Sequence, residues 1–236
     1  MNSLSMRWQN FLFHAKHFQY REIGRKLALR AYSNTYSYCL RRDLEIPFPA
    51  PEPRIPIIVR RLADDDIPKL FGNMSRLPIP DQADLYARLT HWKANIPTCY
   101  VGVTGDGVPT YIQWLMGPEH NEKIQAYFNG TFPVLAPDEA LLENTLTLAD
   151  FRGKGIMPAA MARIAEQGKS LGARYVITFV EQHNVPSLKG CKKSGFLPYM
   201  IRQERWVLFR RLLTFTMLPK GTPYPFEAYE AMRESA

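Results

Sequence analysis

Three cysteines, Cys39, Cys99 and Cys191, are all that the 236 residues contain, and no two of them form a Cys-x-x-Cys pair. An odd, scattered set supplies neither a disulfide framework nor a thiolate zinc site, and it fits a reducing compartment. No metal site is expected. Long apolar runs are missing as well: no uncharged stretch reaches the ~18 residues that cross a bilayer. Near the start, Phe11-Leu12-Phe13 is cut off by His14 and Lys16, too soon for the apolar core of a signal peptide. The expectation is a cytoplasmic protein. Neither Gly-x-x-x-x-Gly-Lys-Ser/Thr nor the three-glycine dinucleotide fingerprint occurs, so those two modes of phosphate binding are excluded. There is no internal repeat.

What is present is ordinary globular material, with 46% hydrophobic and 22% charged residues. The length favours one domain with an appendage over two full domains. Acidic residues are scarce at one end. Residues 1–42 hold eight Lys/Arg against Glu22 alone, so they carry +7 of the net +8. Leu4, Trp8, Phe11, Ala15 and Phe18 fall on one helical face of this stretch. It is read as a basic amphipathic leader, residues 1–46. Its apolar face either packs on the main domain or a second copy of the chain, or docks on an anionic membrane surface or an acidic carrier protein. Basic charge without a reading motif does not make nucleic acid an expected partner. Pro47, Pro49, Pro51, Pro53 and Pro56 then mark a stiff linker, residues 47–56.

Beyond the prolines, periodicity and turn residues predict a mixed α/β domain over residues 57–218, with a tail over 219–236. Strands are expected at 57–59, 98–104, 109–116, 141–148, 175–180, 205–209 and 213–217. Gly105-Asp106-Gly107 turns the second of these into the third. Helices are expected from Asp64 to Leu70, Asp81 to Trp92, Ile156 to Leu171 and Asn184 to Ser194, the last two closed by Gly172 and Gly195. The stretch from Gly117 to Asp138 has mixed character.

One segment carries chemistry. The strand 141–148 runs through Asp150-Phe151-Arg152-Gly153-Lys154-Gly155-Ile156 straight into a helix. Glycines let the backbone approach an anion, and the helix N-terminus points N–H groups at it. About thirty residues later comes Asn184-Val185-Pro186-Ser187, and then Gly195-Phe196. This pair of segments resembles the GNAT acyltransferase superfamily. Its pyrophosphate loop reads Arg/Gln-x-x-Gly-x-Gly/Ala, and its later helix begins Asn-x-x-Ser and ends in Gly-Phe. Arg152, Gly155, Asn184, Ser187, Gly195 and Phe196 occupy matching positions, while Met157 stands where Gly or Ala is usual.

The resemblance implies a single twisted, mostly antiparallel sheet flanked by helices, with one splayed parallel strand pair. It also implies acetyl-CoA, or another acyl-CoA, as co-substrate rather than a permanently bound cofactor. The donor would lie on Leu146, Thr147, Leu148, Arg152, Gly153, Lys154, Gly155, Ile156, Met157, Asn184 and Ser187. A small-molecule amine would attack the thioester directly. Glu143 is the candidate base, since Glu143-Asn144 resembles the Glu-Asp pair of the spermidine/spermine acetyltransferase-like members. On a two-residue period it shares a face with Thr145 and Thr147. Glu139 is the reserve. Counting seven residues from Asn184, where many members place an acidic tyrosine, lands on Cys191; Tyr199 or a water is the substitute. His183 reads as a loop histidine. Trp92, Tyr111, Trp114, Tyr127 and Phe128 are candidates to line the acceptor site. Two alternatives stand beside the N-acyltransferase reading: acyl transfer from a carrier protein or at a membrane through the basic leader, and non-catalytic acyl-CoA binding.

Overall fold

A computed structural model describes residues 20–227 of the chain. The expected helical face Leu4–Phe18 lies outside the described residues, as do residues 228–236. In chain order the elements are α1 (Tyr20–Ala31), β1 (Tyr32–Asp43), β2 (Ile58–Arg61), α2 (Asp66–Phe71), α3 (Ile79–Lys93), β3 (Cys99–Val103), β4 (Pro109–Met116), α4 (Asn121–Phe128), β5 (Glu139–Thr147), α5 (Ile156–Glu166), β6 (Tyr175–Glu181), α6 (Val185–Lys193), β7 (Leu197–Val207) and β8 (Arg210–Met217). The eight strands among the described residues form one sheet in the order β2-β3-β4-β5-β6-β1-β7-β8. Every neighbouring pair is antiparallel except β5 and β6, which run parallel on either side of the α5 crossover. The expected mixed, mostly antiparallel architecture is what the chain adopts.

Two cores lie on opposite faces of this sheet. On one face α5 buries Ile156, Ala160, Met161 and Ile164 against Leu40, Leu142 and Val176, with Leu188 of α6 joining them. On the other, Leu70 of α2, Leu85 of α3 and Ile124 of α4 pack on Trp114, Leu141 and Ile177. Covered on both faces, β4 is buried at all eight positions; its sequence is mostly apolar, and its two polar residues are bonded, Thr110 to the Gly102 carbonyl and Gln113 to the Tyr111 hydroxyl. Alanines dominate the inner face of α5, so the helix can sit close to the strands while keeping high helix propensity.

The expected division into leader, linker and domain is overturned. Residues 32–43 are strand β1, which lies inside the sheet and pairs with β6 on one side and β7 on the other. Cys39 and Leu40 are fully buried. Arg42, counted above as leader charge, is 2% exposed; its guanidinium pairs with Glu166 and donates to the Ala162 carbonyl at 2.9 Å, both on α5. The proline-rich run is a strap on the domain and not a free linker. Arg54 N donates to the Lys154 carbonyl at 2.9 Å, Arg163 bonds the Ile57 carbonyl at 2.8 Å, and the Phe48 ring covers Gly195. Residues 219–227 are not a detached tail either. Tyr224 and Phe226 are buried in the α5-side core, and the Tyr224 hydroxyl donates to the Phe196 carbonyl at 2.5 Å.

Two smaller corrections concern element ends. The late hairpin runs from Leu197, and Leu208-Phe209 is its two-residue turn, with φ of 47° and 64°, where a strand through Phe209 is expected from the sequence. The helix after the glycine loop stops at Glu166 and continues as a 3-10 turn, Gln167–Leu171, closed by Gly172 at φ 74°. The stretch from Gly117 to Asp138 contains α4, ended by the left-handed Asn129.

Candidate active site

The parallel pairing of β5 and β6 lasts for three residue pairs, from Glu139↔Tyr175 to Leu141↔Ile177. Beyond it the strands part. A β-bulge accompanies the parting: Asn144 has φ 60°, and the β4–β5 register shifts between Ile112 and Trp114. The extra residue reverses the alternation of side chains. Glu143 therefore faces the α3/α4 side with Leu141, whereas Thr145 turns to the other face and donates to the Tyr111 hydroxyl at 2.6 Å. The expected shared face of Glu143, Thr145 and Thr147 does not form.

Glu143 sits in the mouth of this opening. Its Oε1 accepts the Phe179 N–H of β6 at 2.7 Å and the Thr178 hydroxyl at 3.4 Å, and its Oε2 accepts Asn144 N–H at 3.3 Å. The side chain keeps partial solvent access while protein encloses the carboxylate. Burial lifts its pKa to about 7, outweighing the N–H groups of Phe179 and Asn144 and the charge of Arg202, all of which pull it down. A carboxylate poised near neutrality can take a proton from an ammonium or amine.

Two arginines frame this carboxylate. Arg88 of α3 donates to the Thr145 carbonyl at 2.6 Å, and Arg202 of β7 holds Ser37 Oγ at 2.9 Å. Both are desolvated, and Glu143 is the ionic neighbour that supports the charge of each, after Asp84 for Arg88. Neither was legible as a site residue. Arg88 sits on the apolar face of α3 between Leu85 and Leu89, and a lone cation there was the available signal. Arg202 lies in the part of β7 that the sequence pattern does not reveal.

From Thr145 to Thr147 the outer edge of β5 has no strand beside it. Thr147 O accepts Arg152 Nε at 3.2 Å, and a carbonyl retains a second lone pair for another donor. The edge leads into the loop 152–157, where Gly153 and Gly155 both adopt φ 74°. No atom lies within 4 Å of the place a Cβ on Gly153 would take; at Gly155 the nearest is Pro53 Cα at 3.6 Å. Ile156 is buried at the start of α5, and the Lys154 ammonium lies 5.2 Å above the Phe151 ring. Met157 does not fill the loop: its sulfur packs over Gly190 of α6, within 2.8 Å of where a Cβ would stand. Arg152 reaches across to Asp81 at 2.7 Å, linking the loop to α3. Leu146, Leu148 and Arg152 share a cavity of about 140 Å³ with Met74 and Asp81.

The remaining expected residues fall elsewhere. Asn184 caps α6, its Oδ1 accepting Ser187 N–H at 3.2 Å. Glu139, at the far end of β5, is four residues, ~13 Å, from Glu143 and accepts Ala136 N–H, which removes it as reserve base. Cys191 is 1% exposed, with its thiol 3.8 Å from the Met161 sulfur, and burial raises its pKa far above the usual thiol value. Enclosed in the α5-side core, with a thiol this weakly acidic, it is a poor proton donor to a departing thiolate. Tyr199 stacks on Arg41 away from the opening. His183 is an exposed turn residue beside Gln182. Of the aromatic acceptor candidates, Tyr111 and Trp114 are fully buried core, while Tyr127 and Phe128 pack around a buried His91 held neutral by desolvation, its pKa lowered to about 3. Cys191→Ser is expected to lower stability by about 1–3 kcal/mol, because it buries a hydroxyl without a built partner, and to leave turnover nearly intact. Thermal melts beside initial rates check this.

The bulged, parting strands and the glycine loop coincide with a family model. The Acetyltransferase (GNAT) family model matches residues 77–196, just over half of the chain. The chain belongs to the GNAT family. Among solved structures it is similar to the GCN5-related glucosamine N-acetyltransferase region of a fungal multi-domain GH3 β-N-acetylglucosaminidase, at 14% identity and a TM-score of 0.54, covering 78% of this chain and 22% of that one. It is similar also to a GCN5-related N-acetyltransferase from Sphaerobacter thermophilus (13%, TM-score 0.49, covering 85% and 57%) and to a GNAT-family acetyltransferase from Colwellia psychrerythraea (13%, TM-score 0.45, covering 81% and 59%). The chain spans less than two thirds of each of these. At such identities the likeness is one of fold. No curated protein matches the sequence. Among the described residues no cluster of His, Cys, Asp or Glu could hold a metal, and no helix is long and apolar enough to cross a membrane.

Proposed function

We propose that this GNAT protein is an N-acyltransferase that moves the acyl group of acetyl-CoA, or a related acyl-CoA, to the amine of a small molecule. One observation carries the reading: the β5–β6 pairing opens at a carboxylate of pKa about 7, and the unpaired strand edge beyond it leads to a loop of two left-handed glycines before a helix. The pantetheine arm would add to the Thr145–Thr147 edge as an extended segment, and the pyrophosphate would lie on the N–H groups of residues 153–157. Glu143 takes the proton of the acceptor amine as its nitrogen attacks the thioester carbonyl; the C–S bond then breaks and the thiolate leaves to be protonated by water. Arg88 and Arg202 keep Glu143 positioned across the opening.

Acetyl-CoA is expected to raise the melting temperature of the protein, and Gly155→Trp to abolish that rise by filling the approach to the loop. An undiminished shift in the variant, with its own melt still cooperative, would overturn the donor-site assignment.

A further inference from the structure

At the end of the sheet away from the glycine loop, a cleft of about 710 Å³ opens between the end of β1, the starts of β6 and β7, and residues 217–221 at and after the end of β8. Glu139 pairs with Tyr175 beside this cleft, and the loop follows Thr147, eight residues further along β5. Eight strand residues separate the two places by roughly 26 Å. The cleft shares no lining residue with the loop or with the Glu143 opening, and its volume is in the range that encloses a small organic ligand.

Its wall combines two kinds of surface. Ile46, Leu197, Met217 and Leu218 make an aliphatic side, with Ile46, Leu197 and Met217 each more than 60% exposed. Cations line it too, and most of these already have carboxylate partners: Arg174 pairs with Asp43 and Glu45, Lys192 with Glu227, and Arg42 with Glu166. Lys220 has none among the described residues, and Arg41 makes no ion pair within 4 Å, although its charge helps to hold the carboxyl of Asp43, also in this wall, below the usual range. The Arg41 guanidinium lies between two rings, 4.3 Å from the centre of Tyr175 and 4.4 Å from that of Tyr199. With both faces covered, a guanidinium offers only the N–H groups around its edge, the geometry that pairs with a carboxylate or phosphate.

We infer that this cleft binds an aliphatic anion, its head group on the edge of Arg41 and near Lys220, its chain along Ile46, Leu197 and Leu218. The site is independent of the acyl-transfer reading. An aliphatic wall without Arg41 and Lys220 would take neutral and anionic chains alike, and two cations without it would take inorganic anions.

Isothermal titration of the full chain with decanoate and with decan-1-ol tests the inference. Decanoate is expected to bind one to one, and decan-1-ol on the order of tenfold more weakly, the loss of a charge-assisted hydrogen bond. Arg41→Gln should weaken decanoate severalfold, leave decan-1-ol nearly unchanged and so narrow the gap between them. Lys220→Gln, on an exposed segment where folding is not at stake, should weaken decanoate severalfold and leave decan-1-ol unchanged. Saturating coenzyme A should not compete. Absence of saturable binding, equal affinities in the unmodified chain, indifference of decanoate to both substitutions, or displacement by coenzyme A would each overturn it. Loss of acetyl-CoA binding in Gly155→Trp has no bearing on this site, so the two readings fail separately.

Discussion

A chain that begins at Pro51 is expected not to fold. It would lose β1, whose residues 37–43 pair with β6 and whose residues 32–41 pair with β7, so two strands that are interior in the intact sheet would become unpaired edges. The β7–β8 hairpin would keep no strand connection to the rest of the sheet. Glu166 would lose the buried guanidinium of Arg42, and the positions of Cys39 and Leu40, both at 0% exposure, would become cavities in opposite cores. Removing even one buried leucine costs about 2–5 kcal/mol, against a total stability of about 5–15 kcal/mol for a domain. The expected result is a loss of the cooperative thermal transition, with far-UV circular dichroism lacking a folded baseline. A cooperative melt that still shifts with acetyl-CoA would show that β6 and β7 can pair directly, and would restore the reading of residues 1–46 as an appendage.

That expectation reverses the division drawn from composition, and the reason lies in how β1 is stabilised. Its sequence, Tyr-Ser-Asn-Thr-Tyr-Ser-Tyr-Cys-Leu-Arg-Arg-Asp, has no apolar alternation, and only its second half is buried. Arg42 reads as surface charge because its partner Glu166 is 124 residues away. Local patterns carry no information about such a pair. The turn at Leu208-Phe209 is hidden for a related reason. Both residues hold positive φ without glycine or asparagine, and their N–H groups donate to the Ala31 and Arg30 carbonyls at the end of α1. By contrast, the hairpin at Gly105-Asp106-Gly107 and the loop at Gly153 and Gly155 announce themselves, because left-handed backbone at Gly107, Gly153 and Gly155 selects glycine. The site divides in the same way. Glu143 and the loop were legible as residue types at a spacing. The bulge at Asn144, which decides the face of every residue after it, was not: asparagine tolerates the left-handed backbone found there, but one asparagine between strand residues does not mark a bulge.

Glu143→Gln is expected to lower kcat by about 10²-fold or more while donor affinity stays within a few-fold, because the amide keeps the shape and the Phe179 N–H bond but cannot accept a proton. The pH profile separates this from a structural effect. A pKa raised to about 7 leaves the carboxyl protonated in mild acid, so kcat/KM of the unmodified enzyme should climb with pH through about 7 and level off above it. In Glu143→Gln that limb should vanish, leaving a slow rate that recovers partly at high pH as more acceptor amine is deprotonated. Stability should move the opposite way. Because the folded state raises this pKa above the ordinary 4.5, the stabilisation from keeping the proton is complete below 4.5 and is lost as pH rises through about 7. The amide has no charge to desolvate, so the variant should melt at or above the temperature of the unmodified protein at pH 8–9, and the gap should close toward pH 4.5. A variant that turns over near-normally at pH 7 with saturating acceptor would remove Glu143 as the base. One that is slow but keeps the acid limb, with a melting temperature lowered at every pH, would make Glu143 a strut between β5 and β6 and place the proton acceptor elsewhere in the opening.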